Sequence, residues 1–283
     1  MSLVITGATG QLGRLVVDSL LARGTAASDI VATGRNVAKL DDLAARGVAV
    51  AELDYTRPET VAAVVEPGDT LLLVSGSEVG QRTAQHTTVI EAAKAAGVAR
   101  IVYTSAPAAT TSALVLAPEH KATEEALVAS GVPFTILRNG WYTENYAGEI
   151  EKGRDTGAIL ASVGDGRVAS ASRKDYADAA AAVLVGEGHE GAVYELSGDT
   201  SWDFDELAAA IGTIVGREVV YTRLSPDEHA ALLTSFGLDD ATVGFVVALD
   251  GNIRDGLLGV TTGDLGRLIG RPTTPLAEGL AAA

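Results

Sequence analysis

The chain has 283 residues, 47% hydrophobic and 20% charged, enough for a full core spread over one or two domains. With no cysteine it excludes a disulfide scaffold, a thiol nucleophile, a cysteine zinc site and an iron–sulfur cluster, and it suits a reducing cytoplasm. Its 21 Lys and Arg against 37 Asp and Glu leave a net charge of −16, which argues against nucleic acid and anionic membrane as partners.

Residues 3–6 read as a strand that runs straight into a glycine-rich turn. No charged leader precedes it, so no signal peptide is expected. A helix follows at 11–23, a strand at 30–33 and a helix at 37–46. Next come a strand at 48–53, a short helix after Pro58 and a strand at 70–74. A helix at 82–96, a strand at 100–104, a helix at 118–130 and a strand at 133–137 complete this rhythm. Several strand runs (LVIT, IVAT, TLLLV, RIVYT) lack period-2 alternation, as strands covered on both faces do. The pattern predicts an α/β, doubly wound parallel sheet of Rossmann type.

After Leu137 the rhythm breaks, and residues 139–173 are mixed. A helix at 175–185 and a strand at 192–196 return to the sheet. A helix at 203–215, a strand-like run at 218–222 and further helix follow. Residues 1–137 with 172–199 are therefore expected to form a dinucleotide-binding domain. Residues 138–171 with 200–283 form a smaller, interleaved α/β substrate domain. No run of 18 apolar residues occurs, so no transmembrane helix is predicted.

The first strand and helix are joined by Thr6-Gly7-Ala8-Thr9-Gly10-Gln11-Leu12-Gly13. Glycines three apart let the backbone turn tightly, approach a pyrophosphate and pack helix on strand. The helix N-terminus then offers free N–H groups to phosphate. An NAD-binding chain places Asp or Glu at the end of strand two. This one reads Thr33-Gly34-Arg35-Asn36, so Arg35, with Lys39 nearby, is a candidate clamp for a 2′-phosphate with no local acid to compete. The alternative for Arg35 is an ordinary solvated arginine. Asp54 is a candidate adenine contact or a cap for the helix after Pro58. Ser75, Gly76 and Ser77 end strand four, either beside the nicotinamide ribose or as a plain polar turn.

Absences narrow the chemistry. His86, His120, His189 and His229 show no His-Glu-x-x-His spacing, and no metal is expected. There is no Gly-Lys of a P-loop and no Gly-x-Ser-x-Gly elbow. None of the seven tyrosines is followed four positions on by lysine, so the usual proton donor of a short-chain dehydrogenase is missing. Asn139-Gly140-Trp141-Tyr142-Thr143-Glu144-Asn145-Tyr146 puts three aromatics after strand six, in a chain only 5% aromatic. It suits the wall of a flat-ligand pocket, or an aromatic lock between domains; both can hold together.

The chain resembles the NmrA-like branch of atypical short-chain dehydrogenases, and more narrowly the bacterial NADPH-dependent quinone oxidoreductases and triphenylmethane dye reductases. The residues that carry this are 6–13, Arg35-Asn36, 77–82, 92–98, Tyr103-Thr104-Ser105, 138–146, 169–176, 189–191, 194–196 and 272–278. The resemblance implies NADPH contacts at Gly7 to Leu12, Arg35, Ser75 to Ser77 and Asn139 to Glu144. It implies a quinone or similar flat acceptor near Tyr142, Asn145 and Tyr146; Tyr103 is a further candidate substrate-binding residue. Tyr142 and Asn145 are the candidate catalytic residues. Gly76 departs from a more usual Ser, and Lys121 is an addition beside His120. The expected protein is a cytoplasmic NADPH-dependent reductase acting on a small quinone-like molecule, with a homodimer as candidate assembly. The rivals are a coenzyme-sensing regulator without turnover and a carbonyl or imine reductase. Ketone reduction as fast as quinone reduction would implicate an unrecognised acid, with Tyr103 or His120 first.

Overall fold

The computed structural model describes residues 1–283. Its elements in chain order are β1 (Leu3–Ile5), α1 (Gln11–Ala22), β2 (Ile30–Gly34), α2 (Asp41–Ala45), β3 (Ala49–Glu52), α3 (Pro58–Ala62) and β4 (Thr70–Leu73). Then come α4 (Arg82–Ala96), β5 (Arg100–Ser105), α5 (Ala117–Ser130), β6 (Phe134–Asn139), α6 (Ala147–Thr156), β7 (Ala158–Ala161) and α7 (Arg173–Val185). The chain ends with β8 (Val193–Leu196), α8 (Phe204–Val215), β9 (Val220–Arg223), α9 (Pro226–Ser235), α10 (Asp240–Arg254), α11 (Asp264–Ile269) and α12 (Leu276–Ala281).

Seven strands form one sheet in the order β3-β2-β1-β4-β5-β6-β8, every neighbouring pair parallel. Both faces are covered. Ile5, Leu72, Val102 and Leu137 pack with α1 and α7 on one side. Their chain neighbours Val4, Leu71, Ile101 and Ile136 pack with α4 and α5 on the other. Consecutive side chains of a strand point to opposite faces, so a strand buried on both sides reads as an unbroken apolar run. Strand order reverses between β1 and β4, which opens a crevice at the carboxyl ends of the strands there.

A second, two-stranded parallel sheet, β7-β9, carries its own core. Tyr146, Trp202, Phe204 and Tyr221 stack at its centre, with ring centroids 5.1 Å (Tyr146–Trp202) and 5.3 Å (Phe204–Tyr221) apart. α8 begins where Asp203 and Glu206 cap each other's backbone N–H. α6 and β7 were not foreseen. Gly153 is the only buried residue of α6, so that helix has no apolar stripe to read. α11 crosses the expected domain division: Leu265, Leu268 and Ile269 pack into the α1/α7 side of the large sheet, not with the small one. No helix is long and apolar enough to cross a membrane.

Candidate active site

A cleft of about 630 Å³ runs along the carboxyl ends of β1, β2, β4, β5 and β6. Its floor begins at the glycine turn. Gly7 sits at φ +62°, and its carbonyl accepts from the Gly10 N–H at 2.9 Å. A Cβ on Gly13 would lie 2.4 Å from the Gly7 oxygen, so only glycine lets α1 pack this close to the turn. Gly10 caps α1 without a side chain, and the first turn holds no acid. The first N–H groups of the helix therefore face the cleft free to bind an anion.

At the β2 end, Arg35 reaches the cleft with its side chain 67% exposed. One correction applies here. Arg35 Nη1 donates to Glu78 Oε1 at 2.9 Å, and Gln85 Nε2 donates to Glu78 Oε2 at 2.9 Å. An acid does compete for Arg35, supplied from the loop after β4 rather than from β2. Lys39 does not reach the cleft. Asp54 lines it, and accepts from the N–H and hydroxyl of Thr56. Those bonds, the backbone one first, hold its carboxyl below the usual range. Asp54 does not cap α3, whose N-cap is Arg57.

The turn after β4 is tied down by buried groups. Ser75 N–H donates to Thr104 Oγ1 at 2.9 Å, Gly76 N–H to His86 Nε2 at 2.9 Å, and Arg82 Nε to the Gly76 oxygen at 2.6 Å. Because His86 Nε2 accepts, its Nδ1 bears the proton and donates to Thr123 Oγ1. Burial, helped by Arg82, pushes His86 down to about 4. His120 stands on the first turn of α5 and lines the cleft, with Nδ1 2.8 Å from the Tyr103 hydroxyl. Burial first, then Arg82 and His86, push it down to about 3.

The aromatic segment divides. Thr143–Tyr146 is a single 3₁₀ turn, in which residues three apart share a face. Tyr142 and Asn145 take the cleft face, with Trp141, Asn139 and Gly140 beside them. Arg173 spans this pair, with its guanidinium 4.9 Å from the Tyr142 ring centroid and its Nη2 donating to Asn145 Oδ1. Thr143 and Tyr146 take the other face. Thr143 Oγ1 meets Ser170 Oγ, and Tyr146 is buried between Trp202 and Phe204.

Gly7, Thr9, Gly10, Gln11, Leu12, Gly13, Arg35, Asp54, Ser75, Gly76, Ser77, Asn139, Gly140, Trp141, Tyr142 and Asn145 thus share one cleft. Five residues expected in the site lie behind it. Ala8 is buried, with its N–H on the Thr33 oxygen. Tyr103 is fully buried beneath His120. Thr143 and Tyr146 face the second core, and Glu144 turns away to accept the Arg173 N–H that opens α7. The cleft also holds Tyr55, Arg82, Gln85 and Arg173, which no spacing rule singled out. Each comes from an element distant in sequence from the glycine turn.

The cleft fits a dinucleotide on its own features: a glycine cradle at a helix start, an exposed arginine at the β2 end, and a buried, unpartnered acceptor at Asn139 Oδ1. The fold and this cleft define a dinucleotide-binding protein, and the chain belongs to the NAD(P)H-binding family, whose profile matches residues 7–186. It is 47% identical to quinone oxidoreductase 2 of Escherichia coli over 98% of its own length and 96% of that protein's. It superposes on the NADPH-complexed crystal structure of the E. coli NADPH-dependent quinone oxidoreductase with a TM-score of 0.94 at 46% identity, covering 99% of both chains. The NADP(H) complex of Citrobacter sp. triphenylmethane reductase matches with a TM-score of 0.93 at 38% identity, covering 100% of both.

Proposed function

We propose that the chain is an NADPH-dependent reductase of quinones and similar flat conjugated acceptors. One observation carries the reading: the cleft joins a dinucleotide cradle and an arginine at the β2 end to an aromatic wall, with no Tyr-x-x-x-Lys donor. Bound NADPH supplies the hydride. Gly7 to Gly13 and the start of α1 hold its phosphates, Arg35 its 2′-phosphate, and Asn139 offers the free acceptor on the wall. Trp141 and Tyr142 stack against a planar acceptor, and Asn145, fixed by Arg173, orients it. NADPH demand and the absence of cysteine support the cytoplasm as its compartment.

The missing acid sets the acceptor class. Hydride addition to a simple ketone leaves an alkoxide, whose conjugate acid has a pKa of about 16. Addition to a quinone leaves a phenolate-like anion, with a pKa of about 10. The difference is roughly 8 kcal/mol of basicity that the site need not stabilise. A panel of benzoquinones, dyes, ketones and imines under NADPH tests this through kcat/KM. Quinones are expected far above acetophenone-type ketones. Equal rates for both overturn the reading, and NADPH binding without any turnover makes the protein a coenzyme sensor.

A further inference from the structure

Beneath the cleft wall lies a buried pair that no dehydrogenase motif predicts. The buried Tyr103 hydroxyl, on β5, lies 2.8 Å from His120 Nδ1 and has the Thr123 side chain as a second hydrogen-bonding neighbour. Thr123 Oγ1 already gives its proton to the Glu119 oxygen and accepts from His86 Nδ1, so the tyrosine proton is assigned to His120, with Tyr103 donating and Nδ1 accepting. The imidazole proton is then on Nε2. His120 is 6% exposed, and Nε2 makes no hydrogen bond within the chain. Yet Nε2 is not among the buried unpartnered atoms, which are Arg82 Nη1, Asn139 Oδ1, Tyr146 Oη and Glu149 Oε2. It opens into the cleft that His120 lines.

Position along the cleft adds to this. On the reading above, the glycine turn at β1 would take the pyrophosphate and Arg35 at β2 the adenosine end. The reacting end must then extend the other way, over β4, β5 and β6, where His120, Tyr142 and Asn145 line the same cleft.

We propose that His120 is a catalytic residue whose Nε2–H hydrogen-bonds the acceptor oxygen as it gains negative charge, and that Tyr103 is the positioning residue that fixes this tautomer. The proposal rests on the reductase reading above. With NADPH bound, the C4–H bond of its dihydronicotinamide would break, the hydride and its electron pair would pass to the conjugated acceptor, leaving NADP⁺, and one acceptor oxygen would become a phenolate-type anion. That oxygen takes its proton from water. His120 keeps its own, because burial raises Tyr103 well above the usual phenol range and leaves it unable to resupply the ring. Burial beside Arg82 keeps the imidazole neutral, the form that donates without itself being an acid.

Three variants and two kinds of measurement test it. In His120→Leu, kcat for a benzoquinone at saturating NADPH is expected to fall about 10- to 100-fold, toward the loss seen on removing one oxyanion donor. The dissociation constant for NADPH should stay within about twofold, and the primary isotope effect with 4-deuterated NADPH should rise. His120→Gln, which keeps an N–H near the Nε2 position, should recover part of kcat. Tyr103→Phe should lower kcat more than it changes KM. Independently of turnover, ¹⁵N NMR of the coenzyme-free protein should show His120 protonated at Nε2 between pH 5.5 and 8 in wild type. The tautomers should be mixed in Tyr103→Phe. A proton on Nδ1, wild-type kcat in folded His120→Leu, or equal losses in the Leu and Gln variants overturns the assignment. A wild type that oxidises no NADPH with any quinone sinks the reductase reading itself. A wild type that turns over beside an equally active His120→Leu sinks the role of His120 alone.

Discussion

On the proposed reading, Arg35 selects the coenzyme, and Glu78 competes with the coenzyme for it. A 2′-phosphate bound there would displace the carboxylate that holds the guanidinium. NADPH is expected to bind at least tenfold tighter than NADH, about 1.4 kcal/mol, within reach of one charge-assisted contact. Arg35→Ala should weaken NADPH and leave NADH nearly unchanged. Glu78→Gln should do the reverse to NADPH, tightening it about two- to fivefold, since exposed ion pairs are worth less than about 1 kcal/mol. Calorimetric titration of both coenzymes checks this. Equal losses for both in Arg35→Ala would make the arginine structural, and an unchanged NADPH constant in Glu78→Gln would make the ion pair irrelevant to binding. The arginine was legible in the sequence because β2 ends at a fixed distance from the glycine turn. Glu78 was not, because its loop meets Arg35 only once β4 lies beside β1.

The 3₁₀ turn after β6 sorts the aromatic segment. Tyr142→Phe and Asn145→Ala should each lower kcat/KM for a quinone only partly, through orientation of the acceptor. Tyr146→Phe should leave kcat/KM alone. The Tyr146 hydroxyl is buried without a partner, and burial pushes its pKa far above the phenol range. Removing it should keep or raise the melting temperature, since an unmade buried hydrogen bond costs about 1–3 kcal/mol. A Tyr146→Phe protein that melts lower and loses quinone turnover would return that residue to the site. Three aromatics beside two asparagines were enough to mark a pocket wall. Which of them face the ligand hung on one turn of helix, whose period no short sequence reveals. The strands were legible for the opposite reason. Val4/Ile5, Leu71/Leu72 and Ile101/Val102 send neighbours into two cores, and that leaves an apolar run in the sequence. α6, whose only buried residue is Gly153, left no such trace.

Across the whole molecule, the buried histidines link stability to acid. His86 and His120 ionise near 6.5 in an unfolded chain, but burial holds them at about 4 and about 3 in the fold. Between those values the unfolded chain binds protons that the folded chain refuses. Stability is therefore full above pH 6.5 and falls as pH drops toward 4. His189, also lowered chiefly by burial, adds in the same sense. The melting temperature should be level from pH 8 to 7 and decline below 6.5, with up to two protons taken up on unfolding by His86 and His120. A level profile down to pH 4.5 would show these imidazoles charged in the fold.

The small sheet has a consequence for how the chain is made. Ala158 pairs with Val220, and Ile136 pairs with Val193, so each pairing closes a long loop. Such distant pairings form slowly. The glycine turn leaves the ribosome well before the residues of the aromatic wall. Asn139, paired with Leu196, must wait for β8, and the aromatic centre behind the wall waits for Phe204 and Tyr221. The phosphate cradle is thus translated first, while the wall that faces the acceptor is finished last. A nascent chain should gain the ability to protect its coenzyme from solvent only after Tyr221 has emerged.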